Sequence, residues 1–265
     1  MHACTLKSLA VVLAVGVVLL GCVTAPEDAT RDRATTSDQT DADRRARLRL
    51  ELAAGYFGRG QYETALDEVK QALSIRPDMG EALNLRGLIY SALGDERLAE
   101  DSFRRALQVN ARDADAMHNY AWLLCQRQRY AESFAMFQQA IEQPAYAARA
   151  RSYMTLGICQ ARSGALSEAE RSLSRSYELD SANPVAAANL SDVLYRRGEY
   201  ERARFYIRRV NTAADQSNAQ TLWLAARIEN KLGNSLGARD LGRQLSARFP
   251  QSPEALRFER GRFDD

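Results

Sequence analysis

The chain has 265 residues, 46% hydrophobic and 26% charged, enough apolar side chain to fill one large domain or two small ones. Its 36 basic and 34 acidic residues leave a formal net charge of +2, and 33 of the basic residues are arginines. So balanced a surface argues against a nucleic-acid partner, which calls for a clustered basic face.

Residues 1–21 follow the logic of a secretory leader. Lys7 gives a positive start, and Leu9 to Leu20 give twelve apolar or small residues. That run suits a signal core of about 7–15 residues and falls short of the roughly 20 that span a bilayer. It ends in Leu19-Leu20-Gly21-Cys22, which resembles the bacterial lipobox, whose cysteine is lipidated and becomes the mature N-terminus. Leu20 is bulkier than the residue usual at its place in that motif. Cys22 is therefore expected to carry a lipid, and loss of Lys7 with the leader brings the charge to +1. Residues 22–43 hold almost no large apolar side chains and read as a disordered tether. About 20 flexible residues reach roughly 25 Å.

From residue 44 to 252 one pattern recurs six times. Gly60, Gly94, Gly164, Gly198 and Gly233 mark turns, with Gln128 in the slot between the second and third glycines, at spacings of 34, 34, 36, 34 and 35 residues. Seven residues before each turn stand Ala53, Gly87, Ala121, Gly157, Ser191 and Ala226; five after it stand Ala65, Ala99, Ser133, Ala169, Ala203 and Ala238. All twelve are small, as close contact between two helices requires. Four residues further on come Val69, Phe103, Phe137, Leu173 and Ile207 as large apolar knobs, whereas Gly242 breaks the pattern in the sixth repeat. Pro77 and Pro250 close the first and last repeats. This pattern resembles the tetratricopeptide (TPR) repeat, a helix–turn–helix unit of about 34 residues.

The resemblance implies an all-α, right-handed superhelix of six repeats, since one helical pair cannot bury its apolar face alone. Asp78 to Glu81 reads as a capping box, and Asn183-Pro184 as a cap before an N1 proline. Residues 253–265, opened by Ser252-Pro253 and carrying Leu256 and Phe258, read as a short capping helix and tail.

Sites of chemistry are few. His118 is the single histidine after the leader, with no partner at catalytic or metal-ligand spacing, and is expected on the groove or surface. Gly233 to Gly237 spells G-x-S-x-G, but at a helix–helix turn with no histidine after it, which does not suit a nucleophile elbow. No enzyme, cofactor, metal or small-molecule substrate is expected. Cys125 and Cys159 differ by two places in their helices, a rotation of about 200° that would let neighbouring side chains face each other. An oxidising compartment would favour their pairing, with two buried thiols as the alternative. First helices line the concave face in such repeats, so Phe57, Glu81, Asn84, Leu88, His118, Asn119, Trp122, Asp192 and Tyr195 form the candidate partner groove. Exposed aromatics beside amides would suit a peptide; packing of Trp122 and Tyr195 between helices is the alternative.

Asn119-Tyr120, Cys125-Gln126, Pro144-Ala145-Tyr146 in a lengthened loop and Gly157-Ile158-Cys159 resemble the middle of the type IV pilus biogenesis and stability lipoproteins, the PilW/PilF or pilotin family. That resemblance implies an outer-membrane lipoprotein facing the periplasm. It implies binding to the secretin subunit of the pilus channel, help in its multimerisation, and a Cys125–Cys159 bridge. A repeat scaffold for another envelope machine, such as peptidoglycan enzymes, is the alternative role.

Overall fold

The computed structural model describes residues 40–213, 215–261 and 263; the leader, Cys22 and the tether as far as residue 39 lie outside them. Twelve helices form six pairs. They are α1 (Asp41–Gly58) with α2 (Tyr62–Ile75), α3 (Gly80–Ala92) with α4 (Glu96–Val109), and α5 (Ala114–Gln126) with α6 (Tyr130–Glu142). Then come α7 (Arg149–Ser163) with α8 (Leu166–Leu179), α9 (Pro184–Arg196) with α10 (Tyr200–Thr212), and α11 (Ala219–Lys231) with α12 (Ser235–Arg248). A thirteenth, α13 (Pro253–Glu259), follows the last pair, and no strand occurs among the described residues.

Each turn needs one residue in the left-handed region. Five glycines supply it at φ between 74° and 88°, and Gln128 adopts the same conformation at φ 59°. An L side chain there costs roughly 1–2 kcal/mol, so the fold imposes the turn on repeat 3 against local preference.

All the small residues expected between paired helices are buried. A Cβ on Gly87 would stand 2.5 Å from the Phe103 ring, and one on Gly157 2.6 Å from Leu173 Cγ. Glycine at these places lets a large knob of the second helix sit directly on the first. Where serine replaces alanine its hydroxyl is satisfied across the same contact. Ser133 Oγ donates to Ala121 O at 2.8 Å, and Ser191 Oγ donates to Ala203 O at 2.9 Å. The knobs Phe103 and Phe137 are wholly buried, each a contribution of about 2–3 kcal/mol. The missing sixth knob is replaced from outside its repeat: Phe258 of α13 lies over Gly242.

Two local expectations change. The capping box at Asp78 is absent: α3 is preceded by Met79 with no side-chain cap, and Asp78 instead accepts from Arg76 Nε at 3.2 Å. The first repeat begins three residues before its expected boundary, because Thr40 and Asp43 form a reciprocal capping box that starts α1 at Asp41. Asn183 and Ser252 do cap α9 and α13, each before an N1 proline.

Ion pairs join repeats at a fixed interval. Arg127 reaches back 27 residues to Glu100, and Arg197 reaches back 27 to Glu170. Arg129 and Tyr120 also donate to Glu100. Burial opposes ionisation of Glu100, yet the Arg129 and Tyr120 hydrogen bonds prevail and hold its carboxyl below the usual range. Between repeats 3 and 4 the tie is covalent: a disulfide joins Cys125 of α5 to Cys159 of α7, with Cα atoms 6.0 Å apart.

Candidate groove and its terminal pocket

Each first helix touches the first helix of the next repeat, whereas no second helix reaches the next second helix. The first helices therefore occupy the tighter, inner side of the curve and line the groove. Their polar residues meet across the joints. Arg47 lies 4.0 Å from Glu81, Asn119 Nδ2 donates to Asn84 Oδ1 at 3.1 Å, and Arg151 lies 2.8 Å from Asp115. Exposed pairs of this kind contribute about 0–1 kcal/mol each. They fix register more than they hold the stack together.

The nine expected groove residues divide. Glu81 is exposed, while Asn84, Leu88, Asn119, Trp122 and Asp192 are half-buried on the first helices. Phe57 is half-buried and packs on Tyr62, ring centroids 5.6 Å apart. Trp122 lies beneath the Arg162 guanidinium, 4.8 Å from its ring centroid, and Tyr195 beneath Arg227 at 4.6 Å. Tyr195 is only 8% exposed, so it belongs to the packing between helices and offers no open face to a ligand. The arginines are the surface a partner would meet there.

His118 is a correction. It is 7% exposed and packs edge-on against Phe137 at 5.4 Å. Its Nδ1 lies 2.7 Å from Ser152 Oγ, which in turn lies 2.8 Å from the Tyr146 hydroxyl. Tyr146 comes from the lengthened loop before α7, which folds inward over the histidine. Burial, assisted by the charge of Arg151, depresses the imidazole to about 4, so it is neutral near pH 7. A histidine beside a serine invites comparison with a nucleophile and its base. All three residues, however, are closed inside the stack. Their hydrogen bonds satisfy one another as a buried polar cluster does.

At the C-terminal end the groove deepens into a pocket of about 500 Å³ between α9, α11 and α13. Val185, Asn189 and Asp192 line it from α9, Trp223, Leu224 and Arg227 from α11, and Glu254 from α13. Burial raises the Asp192 carboxyl above its ordinary value, against the pull of Arg196 and Arg227. Of these residues the sequence reading named Asp192 alone. Arg227 occupies the equivalent place one repeat later and was within reach of the same alignment. Glu254 was not, because α13 lies outside the repeat register.

Among the described residues no three His, Cys, Asp or Glu side chains cluster as a metal site, and no helix is long and apolar enough to cross a membrane. The Gly233–Gly237 stretch is an ordinary turn: Asn234 caps α12, and Ser235 is its first residue.

Tetratricopeptide-repeat family models match residues 50–108, 114–142 and 160–228. The type IV pilus assembly protein PilF of Pseudomonas aeruginosa is 29% identical over 252 residues, covering 95% of this chain and 97% of that protein. The crystal structure of PilW, a widely conserved type IV pilus biogenesis factor, superposes with a TM-score of 0.76 at 31% identity, covering 81% of this chain and 98% of that one. The solved structure of Pseudomonas aeruginosa PilF gives 0.74 at 26% identity, covering 84% and 100%.

Proposed function

The chain belongs to the PilF/PilW family of tetratricopeptide-repeat proteins of type IV pilus biogenesis, and on that premise we propose that it is an outer-membrane pilotin. It is a scaffold and not an enzyme. In this reading a lipid on Cys22 holds the repeats at the periplasmic face of the outer membrane. The superhelix binds the secretin subunit of the pilus channel and promotes its localisation there and its assembly into multimers.

The observation that carries the reading is likeness to PilF over nearly the full length of both chains, together with the lipobox-like Leu19–Cys22. The mechanism would be physical. Several acyl chains on one cysteine anchor firmly where one holds marginally. Tethering through it would then raise the local concentration of a bound secretin subunit at the membrane. No cofactor takes part beyond that covalent lipid.

Deletion of the gene, followed by blotting unheated membranes for secretin multimers, tests this. Multimers should be lost or should leave the outer membrane. Normal multimers in the outer membrane of the deletion strain would overturn the proposal.

A further inference from the structure

We propose that the pocket between α9, α11 and α13 is a receptor for a basic side chain, lysine or arginine, of a polypeptide lying in the groove. The inference rests on the reading that the groove receives a protein partner, and it gives that partner a chemistry.

The pocket has an apolar floor and an acidic wall. Trp223 and Leu224, 4% and 9% exposed, form the floor, and Val185, 50% exposed, stands open to solvent at the lining. These surfaces suit the methylene stem of a long side chain, which packs on apolar groups while its charged head stays polar. Asp192 and Glu254 supply two carboxylates. Glu254 has no ion pair or hydrogen bond to another described residue, and Asp192 has only a long, half-exposed pair with Arg196, one helical turn on, at 3.9 Å.

The one cation in the lining is already engaged. The Arg227 guanidinium covers the Tyr195 ring, and its Nε donates to Phe263 O at 3.1 Å. It bonds to neither of the two carboxylates, so the lining holds two acidic groups against one cation that is already held through its Nε and its ring face. Asn189 donates one amide hydrogen to Val185 O at 2.8 Å, which leaves its Oδ1 as a further acceptor beside the second amide hydrogen. The charge left uncompensated in the lining is therefore negative, over an apolar floor and beside neutral amides of Gln216, Asn218 and Gln220 that can donate or accept. A guanidinium or ammonium complements that set, and a carboxylate opposes it. The raised Asp192 carboxyl agrees: its charge is poorly compensated in the free protein, and an entering cation would compensate it.

Trp223 gives a direct readout, because the chain has only two tryptophans. The mature protein carrying Trp122→Phe is titrated with capped alanine pentapeptides whose central residue is arginine, leucine or glutamate, following Trp223 emission. The arginine peptide should give a saturable change, with binding about tenfold tighter than the leucine peptide, and the glutamate peptide none. Asp192→Asn with Glu254→Gln should weaken arginine-peptide binding by about tenfold and leave the helical circular dichroism unchanged. If that double variant fails to fold, Glu254→Gln alone, on the terminal helix, should still weaken binding several-fold. Absence of a saturable arginine response overturns the proposal. So does equal binding of the leucine or glutamate peptide, or indifference to the carboxylate substitutions. None of these outcomes depends on secretin assembly, so the multimer assay and this titration fail separately.

Discussion

Phe258 of the terminal helix lies over Gly242 of α12 and takes the place that a large knob of the second helix fills in each of the other five repeats. A side chain at 242 and a ring from 258 cannot both occupy that site. Gly242→Leu should therefore expel Phe258 and release α13, destabilising the protein by about 1–3 kcal/mol through overpacking. Phe258→Ala should cost a similar amount through the cavity it leaves. The two together should cost less than the sum, because the leucine then supplies the missing knob. Urea unfolding of the three variants checks this, and simple additivity would sink the exchange.

Gln128 is the only described non-glycine residue with positive φ. Gln128→Gly should stabilise the protein by about 0.5–1 kcal/mol, the left-handed penalty less the extra chain entropy of glycine. A lower midpoint of unfolding for the variant would show that the glutamine side chain makes an unrecognised contribution.

Cys125 and Cys159 close a loop of 34 residues between repeats 3 and 4. Chain-entropy reasoning gives such a bridge about 3–4 kcal/mol, reduced by any structure left in the unfolded chain. Cys125→Ala with Cys159→Ala should lower stability by roughly that amount. Ellman titration of denatured, unreduced Cys22→Ser protein should find no thiol in the mature chain. Two thiols per chain would mean that the bridge does not form.

His118 sets a pH dependence. Its folded pKa of about 4 lies below the ordinary 6.5, so folding favours the neutral ring. Between those values the unfolded chain binds a proton that the folded chain refuses. Stability from this group is full above pH 6.5 and declines as pH falls, reaching its floor just below pH 4. The total is about 3 kcal/mol at roughly 1.4 kcal/mol per unit. His118→Gln should flatten the slope between pH 6.5 and 4 relative to the parent. The paired carboxylates, Glu100 among them, continue to lose stability on acidification in both proteins. Equal slopes for the two proteins would place the imidazole in a more solvated setting than the structure gives it.

How much was legible in the sequence follows from which interactions are local. Six helical pairs, their turns, the small residues between paired helices, the cap at Asn183 and the start of the last helix at Ser252-Pro253 were readable. A 34-residue period records the same short-range contacts six times, and a turn requiring left-handed φ selects glycine at each repeat. Even Gln128 was identifiable, because its neighbours fixed the slot.

Position in a first helix says which face a side chain occupies, but not what lies above it. His118 occupies the groove-facing register, yet the lengthened loop brings Tyr146 to Ser152 and closes the site. Tyr195 shares the register of Phe57 and is roofed by Arg227 from the next repeat. The pocket depends on Glu254 of α13, and the sixth core site on Phe258 of the same helix, neither of which obeys the repeat. The sequence by itself determined the repeating unit, because periodic burial demands periodic residues. Only the tertiary structure decided which of those residues still meet solvent, because that depends on loops and end caps that arrive from outside the period.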